Sequence, residues 1–175
     1  GSTFDVTGFG FQPKGYLLFA NGRTEAVDTV GLLDSRLVIG GAAATTQRGS
    51  CCVFYDQGGT ACVGGSMQLD NTCFITCTAA GAQDGAIDHS SFLSDGIRFI
   101  VDDQLPVNLR VLALAFGGDD ITNVAFKTYN TGTATGNQNF TGVGFNPGSD
   151  SLFIFFGGLD LGLSGNEDLM QMTIG

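Results

Sequence analysis

The chain has no tryptophan, three prolines and a single histidine among 175 residues, and each shortage closes a route. Without tryptophan, a carbohydrate-processing cleft lacks its commonest sugar platform. With His89 as the lone imidazole, a zinc site is short of ligands. A catalytic triad fares no better, because Asp88, Ser90 and Ser91 adjoin His89 in sequence and adjacent side chains point apart. No Gly-x-Ser-x-Gly elbow is present. Basic residues are scarce too, seven against seventeen acidic, for a formal charge of −10. Nucleic acid is therefore not an expected partner, since phosphate binding needs a cationic footprint. The acidic surface suits a protein that must stay soluble in many copies before it assembles. No apolar run approaches the roughly 20 residues that span a bilayer, and the N-terminus lacks the basic and apolar regions of a signal peptide, so no membrane association is expected.

Glycine and phenylalanine are abundant instead, 28 and 15 residues, in a chain that is 43% hydrophobic with a mean hydropathy of +0.21. That composition describes short strands joined by tight turns around a real core, and it excludes general disorder. The expected fold is all-β, an antiparallel β-sandwich of jelly-roll type.

One structural word is used twice. Thr7-Gly8-x-Gly10-Phe11-x-Pro13 returns as Thr141-Gly142-x-Gly144-Phe145-x-Pro147, and each copy runs into an apolar stretch, Tyr16–Ala20 and Leu152–Phe156, closed by a turn. The offset of 134 residues (141 − 7) leaves room for one full unit over 1–137 and the start of a second over 138–175, packed into the same domain. The glycines predict a bend where the chain passes between strands, phenylalanine a core anchor, and proline a stop to the ladder. The Gly-x-Gly spacing resembles a phosphate loop only superficially, because no Gly-x-Gly-x-x-Gly and no lysine-serine pair follows. A smaller echo, Leu112-x-Leu114-x-Phe116-Gly117-Gly118-x-Asp120 against Leu152-x-Ile154-x-Phe156-Gly157-Gly158-x-Asp160, predicts a shared way of leaving the sheet.

Residues 23–35 read as a long loop with at most one helical turn. Strands are predicted at 36–39, 51–55, 61–63, 67–69, 73–77, 97–101, 109–116, 123–129 and near 169–174. The strand at 109–116 reads as central, since seven of its eight residues are apolar. The segment from Ala79 to Ser91, small and polar, reads as the most loop-like part of the chain, and 130–138 as another loop.

Five cysteines, Cys51, Cys52, Cys62, Cys73 and Cys77, crowd one stretch in an odd count and without knuckle spacing. They read as small buried thiols, with a bridge from Cys51 or Cys52 to Cys62 or Cys73 open if the protein works outside the cell. Cys51 and Cys52 should face opposite sides of a strand, whereas Cys73 and Cys77 should share a face. Asp56, Asp95 and Asp103 are candidate glycosidase carboxylates, but no spacing fixes two of them at a working separation. Asp102-Asp103, Asp119-Asp120 and Asn166-Glu167-Asp168 read as turn caps, with calcium at one of them the lesser reading. Asn139-Phe140-Thr141 matches a glycosylation sequon inside the repeated motif. No catalytic, cofactor or metal residue is assigned, and the protein is not expected to be an enzyme.

The stretches VTGFGFQPKGYLLF, TGNQNFTGVGFNP and FLSDGIRFIVDDQLPVNLRVLALAFGGDDITNVAFKT resemble a repeat of bacteriophage and prophage structural proteins, in which a "GFQPK" element precedes an apolar strand and a "DGF" strand leads to a "LALGG" strand. The chain departs at Gly96-Ile97, where that family has glycine-phenylalanine, and at Asn146-Pro147-Gly148, which replaces Gln-Pro-Lys. The resemblance implies a virion component, such as a capsid decoration, tail or fibre subunit. A homo-oligomer, with a trimer favoured, and other virion proteins are the implied partners. The alternative is a module that recognises a host surface glycan through the 79–91 or 130–138 loops.

Overall fold

A computed structural model of the chain describes residues 1–21, 34–56, 63–78, 80–129, 135–137, 156–157 and 173–174, and every regular element among them is a strand. In chain order these are β1 (Ser2–Thr7), β2 (Pro13–Ala20), β3 (Asp34–Ala44), β4 (Gln47–Asp56), β5 (Val63–Leu69), β6 (Phe74–Cys77), β7 (Gln83–Leu93), β8 (Gly96–Asp103), β9 (Val111–Gly117), β10 (Phe156–Gly157) and β11 (Thr173–Ile174). Two antiparallel sheets carry the fold, one ordered β1-β8-β7-β6 and the other β5-β4-β3-β2-β9, while β10 pairs only with β11. The all-β sandwich expected from composition is what forms.

The strand period sets the layers. Tyr16, Leu18 and Ala20 of β2 point into the core, whereas Leu17 and Phe19 point to the other face of the same sheet. Pro13 opens β2, where a missing N–H interrupts no interior ladder. Two-residue links, Thr45-Thr46 and Ser94-Asp95, close the β3–β4 and β7–β8 hairpins. Between the sheets lie Tyr16, Val38, Cys52, Phe74, Ile75, Ile97 and Phe99. Arg36 to Asp84 and Arg48 to Asp88, each 2.9 Å apart, tie the five-stranded sheet to β7 of the other. On the outer edge, Arg98 grips Asp5 through two bonds of 2.7 and 2.8 Å and pins the register of β1 on β8. That paired guanidinium holds the Asp5 carboxyl below its usual range.

The sheets are offset. β6 packs over β3, β4 and β5, and β7 over β2 and β3, so β1 and β9 fall on the same flank of the sandwich. That flank is open: Phe4 of β1 is 40% exposed although its ring stacks on the buried Phe99, and Val111 of β9 is 37% exposed.

Four expectations are corrected. The segment predicted to be a loop at 79–91 is largely β7, inside its sheet between β6 and β8, and its polar residues are tolerated because Asp84 and Asp88 meet arginines from the facing sheet. The strand predicted as central at 109–116 is β9, at the edge of its sheet among the described residues, with Leu112 68% and Leu114 47% exposed. The two strands predicted at 61–63 and 67–69 are a single β5 in which Gly64 and Gly65 continue the ladder opposite Tyr55 and Phe54; residues 61 and 62 lie outside the described residues. Residues 123–129 form no strand. They run instead over the outer face of the five-stranded sheet, where Val124 fills the space above Gly15, Phe126 sits between Gly41 and Gly49, and Thr128 abuts Gly49. Glycines on three neighbouring strands leave a lane that the segment occupies.

Candidate functional site

The first copy of the repeated motif is the corner by which the chain leaves one sheet for the other, since β1 and β2 belong to different sheets. Gly8 and Gly10 take φ values of 97° and 77°, which L side chains avoid, and so the backbone can turn within five residues of loop. Their two amides converge on one carboxylate. Asp95, at the tip of the β7–β8 hairpin, accepts from Gly8 N at 3.2 Å through Oδ2 and from Gly10 N through Oδ1, and its backbone carbonyl accepts from Gly8 N at 3.0 Å. The anion that a glycine-rich amide pair can hold is thus supplied by the chain itself. Asp95→Ala is expected to lower the unfolding free energy by about 1 kcal/mol in urea titration, because both amides lose a charged acceptor at an exposed site where water replaces part of it.

The end of β9 is fastened to the same corner. Gly118, at φ 84°, donates to Gln12 O at 3.3 Å, and the Lys14 ammonium donates to the carbonyls of Gly118, at 2.9 Å, and of Ile121. The Gly-Gly exit from the strand therefore takes its positive φ from Gly118, as expected, but its clamp is Lys14. Beside it a shallow cavity of about 370 Å³ is lined by Gln12, Pro13, Lys14, Phe92 and Val124 among others. Its charged group, Lys14, already serves two carbonyls.

His89 lies in the core, not in a loop. Its ring is 4% exposed and packs 4.5 Å from Phe92 and 5.6 Å from Tyr16 by centroid. Burial, with a smaller push from the Arg48 guanidinium, lowers its pKa to about 4. Asp88 turns to its own strand and to the other sheet, accepting from His89 N at 2.7 Å and pairing with Arg48, and burial raises its carboxyl above the ordinary value. Burial pushes the Tyr16 hydroxyl well up. Tyr16 Oη and His89 Nδ1 have no hydrogen-bond partner from the protein. The cluster thus combines a phenol, an imidazole and a carboxylate, with Tyr16 and His89 buried in the core.

The remaining candidates are scattered. Asp56 ends β4, and Asp103 ends β8, where it accepts from Gln83 Nε2 at 3.2 Å; Asp95 is the corner clamp. Asp102, Asp119 and Asp120 are exposed, and among the described residues no three His, Cys, Asp or Glu side chains gather closely enough to hold a metal ion. Cys51, Cys52, Cys73 and Cys77 are buried free thiols, with Cys52, Cys73 and Cys77 in the core cluster and Cys51 on the opposite face. Burial raises the Cys51 thiol to about 11 and the Cys73 thiol to about 12. Cys62, the second motif copy at 141–147, the sequon at 139–141, the acidic group at 166–168 and most of the loop at 130–138 lie outside the described residues. So does the expected start of a second unit over 138–175, apart from Phe156–Gly157 and Thr173–Ile174, which pair with each other. The Asp95 clamp was missed in sequence, although Ser94-Asp95-Gly96 is a hairpin signal and two motif glycines imply amides in need of an acceptor.

Compared with known proteins, the chain matches no family model, no curated protein and no solved structure.

Proposed function

We propose that the protein is a structural subunit of a bacteriophage particle, a capsid decoration or tail component, that works by symmetric self-assembly and not by catalysis. The observation that carries this reading is the open flank of the sandwich. Phe4 of β1 and Val111, Leu112 and Leu114 of β9, on edge strands of the two sheets, expose 37–68% of their surface, Leu112 and Leu114 on the outer face opposite Phe19 and Leu17, and Val111 on the inner face opposite Ala20. An edge strand with apolar side chains on both faces is a template for pairing, and proteins that stay monomeric blunt such edges with charge or proline. β9 itself, Val111–Gly117, carries no charged residue, and Arg110 precedes it. The duplicated motif and the likeness to phage repeat sequences direct the assembly towards a particle, and the net charge of −10 keeps free subunits apart until they meet the correct partner.

Sedimentation equilibrium tests it. At micromolar concentration the mass is expected at an integer multiple of 18.1 kDa, and the double change Leu112→Lys, Leu114→Lys is expected to shift it to the monomer without lowering the thermal midpoint. A native chain that stays monomeric through the same range, and that fails to bind particles, overturns the assembly reading.

A further inference from the structure

Cys52 and Cys77 meet between the two sheets. Cys52 lies on β4 and Cys77 ends β6, both have no solvent exposure, and the two side chains interact within one core cluster. The Cys77 sulfur also lies 3.7 Å from the Cys52 carbonyl oxygen and 3.8 Å from that of Gly65 on β5. The other described thiols are held elsewhere. Cys73 donates to Ile87 O at 3.2 Å, and Cys51 is on the far face of the sheet.

We propose that Cys52 and Cys77 form a disulfide that staples the two sheets when the protein enters an oxidising environment. The oxidant is a low-molecular-weight disulfide such as oxidised glutathione. One thiolate attacks it and releases one reduced thiol, and the second thiolate attacks the resulting mixed disulfide and releases another. The two cysteines lose two protons and two electrons, and the soluble disulfide is reduced to two thiols. Access comes from the side of the sandwich opposite the open flank, where β5 and β6 are edge strands of their sheets and Cys77 follows a register shift in β6. Edge strands open locally at a fraction of the global unfolding free energy.

The bridge differs from the pairings that the sequence left open, all of which involve Cys62 or Cys73. Its consequence is mechanical. The two residues are 25 apart in the chain and belong to different sheets, so the link closes a loop and joins the layers. A subunit made in a reducing cytosol would fold first and be locked after release, a use that rests on the assembly reading, whereas the bond itself does not.

The test uses the isolated full chain carrying Cys62→Ser, refolded in a glutathione redox buffer so that burial cannot block the reaction. Peptide mapping without reductant is expected to recover one linked pair containing Cys52 and Cys77, with the mass of two hydrogens lost. The thermal midpoint is expected to rise by roughly 5–10 °C over the reduced form. Cys52→Ala and Cys77→Ala should each abolish the rise, and Cys51→Ala should keep it. A linked pair that includes Cys51 or Cys73, or four free thiols in a folded protein after refolding, overturns the proposal. Neither result bears on the oligomer mass, so the bridge and the assembly reading fail separately.

Discussion

Gly40→Ala is expected to destabilise the protein by about 3 kcal/mol, read as a lowered urea midpoint with an unchanged slope. Gly40 lies on β3 facing the second sheet, and its backbone angle is one that any residue adopts; what it provides is room. A methyl group there would stand 2.1 Å from the Cys73 carbonyl oxygen, 3.0 Å from the Cys73 carbonyl carbon and 2.9 Å from Ser50 Oγ. The nearest of these is backbone, so no side-chain rotation relieves it. The layers must separate or β6 must shift, and either movement strikes the hydroxyl that links them. Ser50 Oγ bonds Ile39 O at 3.3 Å and accepts from Ile75 N at 3.1 Å, and a buried amide left without that acceptor adds about 1 kcal/mol to the strain. Gly64→Ala is the control. Its methyl would meet Phe54 O at 3.7 Å, an ordinary contact, and the midpoint should move by less than about 0.5 kcal/mol. Equal losses at the two positions would mean that glycine acts through chain flexibility and not through the approach of the sheets.

The same contrast separates what was legible in the sequence from what was not. Alternation and glycine punctuation are local signals, and where the structure obeys them the expectation holds: Tyr16, Leu18 and Ala20 line the core, Gly8 and Gly10 turn the corner, and Cys51 and Cys52 part to opposite faces. The errors all arise from partners distant in sequence. Asp84, Asp88 and His89 make β7 look like a loop, because nothing local announces that Arg36 and Arg48 wait on the opposite sheet. The run from Leu109 to Phe116 looks central, yet an apolar strand is equally apolar when its second face awaits another molecule. Residues 123–129 have strand composition, but their place is set by a lane of glycines on three other strands, and the bonds of the segment run elsewhere: Phe126 N to Gln47 Oε1 at 3.4 Å. The polar cluster was half legible. The residues of the cluster are plain in the sequence, but the burial of His89 against Tyr16 depends on the register of β7 with β8 and on the face of β2, neither of which a single sequence displays.

These distant contacts have one architectural effect. The two sheets are joined through β7 and β6 by the Arg36 and Arg48 ion pairs, by the Ser50 hydroxyl and by the thiol pair, and on the side of β1 by aromatic packing around Phe99 and Tyr16 and by the corner that Asp95 clamps. The ion pairs, the hydroxyl and the thiol pair thus lie where β6 and β7 cover the other sheet, and the edge strands β1 and β9 lie on the opposite flank.

Acidification from pH 7 to pH 4 is expected to remove on the order of 3 kcal/mol of stability through His89 alone. The imidazole titrates near 6.5 when the chain is unfolded and near 4 in the folded core. Above pH 6.5 it is neutral in both states and its contribution is complete. As the pH falls through that value the unfolded chain binds a proton that the native chain refuses, and stability declines by up to about 1.4 kcal/mol per pH unit until the folded imidazole is itself protonated near pH 4. Asp88 works in the opposite sense over the lower part of this range, because its raised carboxyl takes up a proton in the folded state before the unfolded chain does, which stabilises the fold as the pH drops. Asp5, held low by Arg98, loses its contribution only below the ordinary carboxylate value. Between pH 6.5 and 5 the proton taken up by His89 in the unfolded chain drives the loss of stability, and Asp88 can only oppose it. His89→Leu is expected to flatten the pH dependence of the urea midpoint across that interval, whatever it does to the absolute stability. A slope that survives the substitution would assign the proton to another group, and a native protein with a flat profile would mean that the folded imidazole is protonated near its usual pKa despite its burial.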